Sequence, residues 1–134
     1  MSLQAPRTEE YMVNTPAVAT GASATTSVVE APYAGSITEV KYVPVAAVTG
    51  VNTNTRRVSL VNKGQAGAGN TEMAFLQFDA GVNGVAFDAS LLTLSATPAN
   101  RNFVEGDILA WVSAAVGSGL ADPGGEVIAV LSRS

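Results

Sequence analysis

From residue 31 onward the chain is punctuated in a way that few folds accommodate. Short runs rich in β-branched and aromatic residues follow one another, each closed by a Gly, Pro or Asn cluster. "GSITEVKYVP" (35–44) alternates Thr38, Val40 and Tyr42 against Ile37, Glu39, Lys41 and Val43. "RRVSLVN" (56–62) sets Val58 and Leu60 against Arg57, Ser59 and Val61, and "EMAFLQFDA" (72–80) sets Ala74, Leu76 and Phe78 against Met73, Phe75 and Gln77. "LLTLSAT" (91–97), "DILAWVS" (107–113) and "EVIAVLS" (126–132) complete the series, with "NKGQAGAG", Asn83-Gly84, "TPANRN" and "GSGLADPGG" as breaks. Side chains on a strand alternate between faces, so a period of two in runs this short predicts half-buried strands. Their regular spacing predicts an all-β protein, an antiparallel and jelly-roll-like sandwich, over residues 31–134. No window carries the 3.6-residue period of an amphipathic helix.

Residues 1–30 lack either period and mix Pro, Thr, Ala and Ser. They predict an extended N-terminal arm that turns into a strand near "TTSVVEA" (25–31). An arm of this kind can add its unpaired N–H and C=O groups to a neighbour's sheet edge. Residues 8–31 are the candidate contact, with Tyr11, Met12, Val13, Val28 and Val29 as its apolar anchors.

Composition then limits the chemistry. Charged residues make up 13% of the 134 residues, against about 25% in ordinary soluble domains. An exterior so thinly charged repels other molecules weakly and is expected to be buried against partners or further copies. Seven basic against eleven acidic residues give a net charge of −4, which excludes a nucleic-acid partner held by clustered Lys and Arg. Arg56-Arg57, the one basic doublet, reads as a solvated strand edge. There is no cysteine and no histidine, so thiolate catalysis, disulfides and the commonest general base are absent. "MSLQAPRTEEYMV" shows no apolar core behind a basic start, and "VPVAAVTGV" (43–51) is too short to span a bilayer, so neither a signal peptide nor a membrane segment is expected.

Four stretches imitate functional motifs. "EGDILAW" (105–111) sets Glu105 and Asp107 beside Trp111, the only tryptophan. Two carboxylates about 5 Å apart across a cleft hydrolyse glycosides, but Asp at a tight turn ordinarily caps local N–H groups, and a strand start with a core tryptophan is expected here. "GQAGAGNT" (64–71) follows the phosphate-loop spacing, yet Asn70 stands where that loop needs its lysine. "DAGVNGVAFDAS" (79–90) begins like a calcium loop with Asp79, Asn83 and Gly84, but Gly81 and Ser90 occupy two ligand positions, leaving Asp88 as a spare oxygen donor. Ser118 has no histidine to activate it, and nothing places Lys41 or Lys63 beside it. No nucleophile, base and electrophile can be assembled, so no enzyme, cofactor or metal site is expected.

The runs "VVEAPYAGSITEVKYVP", "NTNTRRVSLVNKGQAGAG" and "VEGDILAWVS…GLADPGGEVIAVLSRS", within residues 28–133, resemble small all-β virion proteins of tailed bacteriophages, of the capsid decoration (cement) or head-fibre type. That resemblance implies a structural protein on the capsid exterior, a homotrimer whose N-terminal arm lies on the major capsid protein. It implies no active site. A tail or fibre component, or a carbohydrate-binding sandwich stacking sugars on Trp111, Tyr33 and Tyr42, is the alternative.

Overall fold

A computed structural model describes residues 7–134. The part of the expected arm at 1–6 lies outside the described residues. Ten strands follow in order: β1 (Thr8–Thr15), β2 (Ala24–Glu30), β3 (Gly35–Pro44), β4 (Arg56–Asn62) and β5 (Thr71–Gln77) in the first half. β6 (Ser90–Leu91), β7 (Thr93–Leu94), β8 (Asn102–Phe103), β9 (Ile108–Ala115) and β10 (Gly125–Arg133) make up the second, with a single 3-10 turn at Pro98–Arg101.

The strands form two antiparallel sheets. The front sheet runs β1, β10, β3, β6, with β8 also on the far edge of β3, and the back sheet runs β2, β9, β4, β5, β7. Apart from the β4–β5 hairpin in the back sheet, successive strands alternate between the sheets, the wiring of a jelly roll. Between the sheets lie Val58, Leu60, Trp111 and Leu109 from the back and Ile37, Val40, Tyr42, Val127, Ala129 and Leu131 from the front, all essentially water-free. Each such aliphatic side chain contributes about 1.5–3 kcal/mol relative to exposure. Tyr42 and Trp111 meet across the layer with ring centroids 5.2 Å apart.

Three strand details depart from simple alternation. In β3, Ile37, Val40 and Tyr42 all point inward because a bulge opposite Val130 and Leu131 inserts one residue. In β5, Met73 and Ala74 are both buried beside a register shift against Leu60 and Val61. The run 91–97 is not one strand: Ser90–Leu91 pairs with β3 and Thr93–Leu94 with β5, while buried Leu92 turns inward between the sheets.

The expected arm is largely part of the body. β1 pairs with β10 over eight consecutive residues, Thr8 opposite Ser132 through Thr15 opposite Gly125, and β2 pairs with β9. Tyr11 and Val13, like Val28 and Val29, pack against this chain's own core. Two flanking strands thus complete the sheets instead of reaching away, because their alternate apolar side chains find cover at home.

Candidate functional site

At one end of the sandwich the loops before β2, before β4 and before β10 meet around a buried charge. Arg56 opens β4 and is 1% exposed, which corrects its expected place on a solvated edge. Its Nε donates to Leu120 O (2.7 Å), Nη1 to Ala22 O (2.8 Å) and Nη2 to Ala19 O (3.1 Å). Nη1 also reaches Ser113 Oγ, and that hydroxyl in turn donates to Asp122 Oδ2 at 2.7 Å. Asp122, itself buried, accepts from the Tyr42 hydroxyl and from Gly124 N–H. Burial pushes the Arg56 guanidinium below its ordinary pKa, and the Asp122 carboxylate opposes that shift. Every polar atom named here is occupied by the protein, so this cluster is a structural latch joining three loops.

At the opposite end "EGDILAW" is a turn at residues 105–107 that leads into β9, with Trp111 in the core, as expected. Gly106 takes φ +92°, and Asp107 is buried, accepting from Val104 N–H and Asn62 Nδ2 at 3.0 Å each. Glu105 faces solvent. One carboxylate inside and one outside do not make a hydrolytic pair. The other motifs are similarly committed. Lys63 Nζ binds Asn70 Oδ1 within the β4–β5 loop, Lys41 pairs with Glu39, and Asn83 Oδ1 accepts from Gly50 N–H. Trp111, Tyr42 and Tyr33 are 1%, 0% and 8% exposed, so the expected sugar-stacking residues are core residues and offer no platform. Trp111 Nε1 and Tyr33 OH are buried without a hydrogen-bond partner among the described residues.

The accessible feature is the outer face of the front sheet. Pairing registers align Met12, Ile128, Lys41 and Leu91 in one row across four strands, with Met12 61% and Leu91 62% exposed. Glu10, Val130 and Glu39 form the row on one side of it, and Asn14, Glu126 and Val43 the row on the other. Beside the last row opens a groove of about 510 Å³ lined by Val43, Val45, Thr15 and Glu126, floored by Gly124 and Gly125, and rimmed by Phe87. The floor has to be glycine. A Cβ at Gly125 would lie 2.1 Å from Val43 O, and one at Gly124 2.8 Å from Thr15 O. Phe87 is 76% exposed and sits at φ 58°, a left-handed conformation costly for a residue with a Cβ. Its N–H is fixed to Pro44 O (2.8 Å), which holds the ring outward on a tied backbone.

Of the five anchors read from the sequence, only Met12 lies on this face; the others point inward. Phe87, Leu91, Val45 and Ile128 were not singled out. The one usable signal was "GVAF" between turn residues, an aromatic where a polar loop is the norm. Comparison with protein-family models, with curated proteins and with solved structures returned no match.

Proposed function

We propose that this chain is a structural virion protein of the capsid-decoration type, which binds the major capsid protein from outside and stabilises the shell. The observation that carries the reading is the front sheet's outer face, where a rigid jelly roll leaves Met12, Leu91, Phe87 and Val45 uncovered. Scattered surface leucines need no explanation, but Met12 and Leu91 in one row, with Val45 and Phe87 at the groove on the same side, mark an interaction surface. Phe87 supports it further: backbone strain at an exposed aromatic on a tied loop is kept where a binding role offsets it. The rows carry Glu10, Glu39 and Glu126 against Lys41, so the complementary partner surface is apolar with a basic rim. Jelly rolls serve capsids and lectins alike, so the fold favours neither by itself. The named sugar-stacking residues are all core residues, which leaves the lectin reading without its platform.

Mixing purified protein with heads assembled without it, then co-sedimenting, tests the proposal. Saturable uptake is expected. Phe87→Asp should weaken it by roughly 30-fold or more, the loss of about 2 kcal/mol expected of an interface hot spot. Absence of uptake, or uptake unaffected by both Phe87→Asp and Leu91→Asp, overturns it.

A further inference from the structure

We propose that two copies of this chain join edge to edge through their β1 strands, antiparallel, with the two-fold axis at Met12. Exposed sheet edges are ordinarily blunted by shortness, bulges, lysine or proline. β6 and β7 are two residues long, and β2 has a register shift between Ser27 and Val29. β1 is long and unbroken: eight residues in register with β10 and no Lys or Pro within Thr8–Thr15, its only charges being Glu9 and Glu10.

Backbone parity selects which groups it offers. Arg133 N–H donates to Arg7 O at 2.6 Å, so odd-numbered residues turn their N–H and C=O toward β10. The even residues Thr8, Glu10, Met12 and Asn14 therefore present theirs to the side on which no described strand pairs. A second β1 must match even positions to even positions, which leaves few registers. Centring on Glu10 opposes carboxylate to carboxylate, and centring on Tyr11 sets Glu10 against Met12, which offers the carboxylate no donor. Centring on Met12 sets Glu10 against the Asn14 amide, a donor, and Met12 against Met12. About six backbone hydrogen bonds form in this register, and Pro16, lacking an N–H, ends the pairing. It also joins the rows of Met12, Ile128, Lys41 and Leu91 from the two copies into one band that is apolar except at Lys41. The contact is isologous and self-complementary, so it closes at two chains.

The absence of cysteine makes the test clean. Met12→Cys should give a covalent dimer on mild oxidation, because residues paired in this way lie about 5.5 Å apart, within disulfide range. Glu10→Cys alone and Asn14→Cys alone should remain single chains, whereas their mixture cross-links. Sedimentation of the parent protein should show two-chain particles, and Met12→Lys, which sets two cations on the axis, should raise the dissociation constant at least tenfold. A single-chain mass at every concentration, equal cross-linking by all three cysteine variants, or a three-chain particle in which Met12→Cys stays unlinked each overturns the contact. None of these readouts involves a capsid, so failure here and failure to decorate heads are separate results.

Discussion

The two outer faces of this sandwich treat their large apolar side chains in opposite ways. On the back sheet, Phe75 points outward but lies under the Arg57 guanidinium, 4.0 Å from the ring centroid. Arg57 is held there by Glu72 (3.0 Å from Nε) and Gln77 (3.0 Å from Nη1), so charge, ring and amide form one closed patch. In the same row Thr25 and Thr93 are exposed and polar, Val112 is half-buried and Ser59 is buried. On the front side no such cover exists among the described residues, and Phe87, in the loop between β5 and β6, stands out from the surface despite an unfavourable backbone angle. A chain that covers one aromatic with an arginine tied on two sides has the means to cover another. The uncovered face is better read as one that another molecule covers.

Both faces depend on the latch at one end of the sandwich, so breaking it should have the largest effect. Arg56→Met leaves Asp122 as a buried carboxylate with no countercharge and removes donors from three loop carbonyls. A loss of about 3–5 kcal/mol is expected, enough to unfold a marginal domain, measured as the midpoint of urea unfolding. Combining it with Asp122→Asn should recover part of that loss, since the uncompensated charge goes but the unpaired carbonyls remain. If Arg56→Met alone costs under about 1 kcal/mol, the guanidinium is not what holds the loops.

The latch was also the part least visible in the sequence. Arg56 and Arg57 are adjacent and chemically identical, yet one is sealed and the other covers a ring. What separates them is strand parity plus a carbonyl 64 residues away at Leu120, and no local pattern encodes that pairing. The strands, by contrast, were legible where one face is buried: 35–44 and 56–62 match β3 and β4 residue for residue. The bulges at Ile37 and Met73 and the sheet change at Leu92 were not, because one inserted residue reverses the facing of all that follow. β1 was missed for a related reason. "TEEYMVNT" alternates, but only Tyr11 and Val13 of its inward set are apolar, too short a signal beside two glutamates.

A second, smaller test uses pH. The Tyr42 hydroxyl is raised far above its usual pKa, first by burial and then by its hydrogen bond to Asp122. Tyr11, bonded to Glu9, is raised from 10.0 to about 12. A phenol whose pKa is higher folded than unfolded binds its proton more tightly in the folded state. Its stabilisation is therefore complete below about pH 10 and is lost as pH rises through the folded value. Unfolding midpoints should hold steady from neutral pH to about 9 and then fall. Tyr42→Phe should cost about 1.5–3 kcal/mol at neutral pH, as for a hydrogen bond to a charged group, and flatten the alkaline decline. A decline of unchanged steepness in Tyr42→Phe would place its origin elsewhere.

The smallest stability effects sharpen the contrast between the faces most directly, because they separate folding from binding. Arg57→Ala uncovers Phe75 and breaks the exposed pair with Glu72, so a loss of about 0.5–1 kcal/mol and new binding of an apolar dye to the back face are expected. Phe87→Gly touches no core contact and allows φ 58° without strain, a gain offset by the greater freedom of glycine in the unfolded chain. Its stability should stay within about 0.5 kcal/mol of the parent, while uptake onto heads falls as it does for Phe87→Asp. The opposite pattern, a clear loss of stability with binding intact, would make the Phe87 ring a folding element after all, and the two faces would then differ only in which aromatic the chain happens to shield.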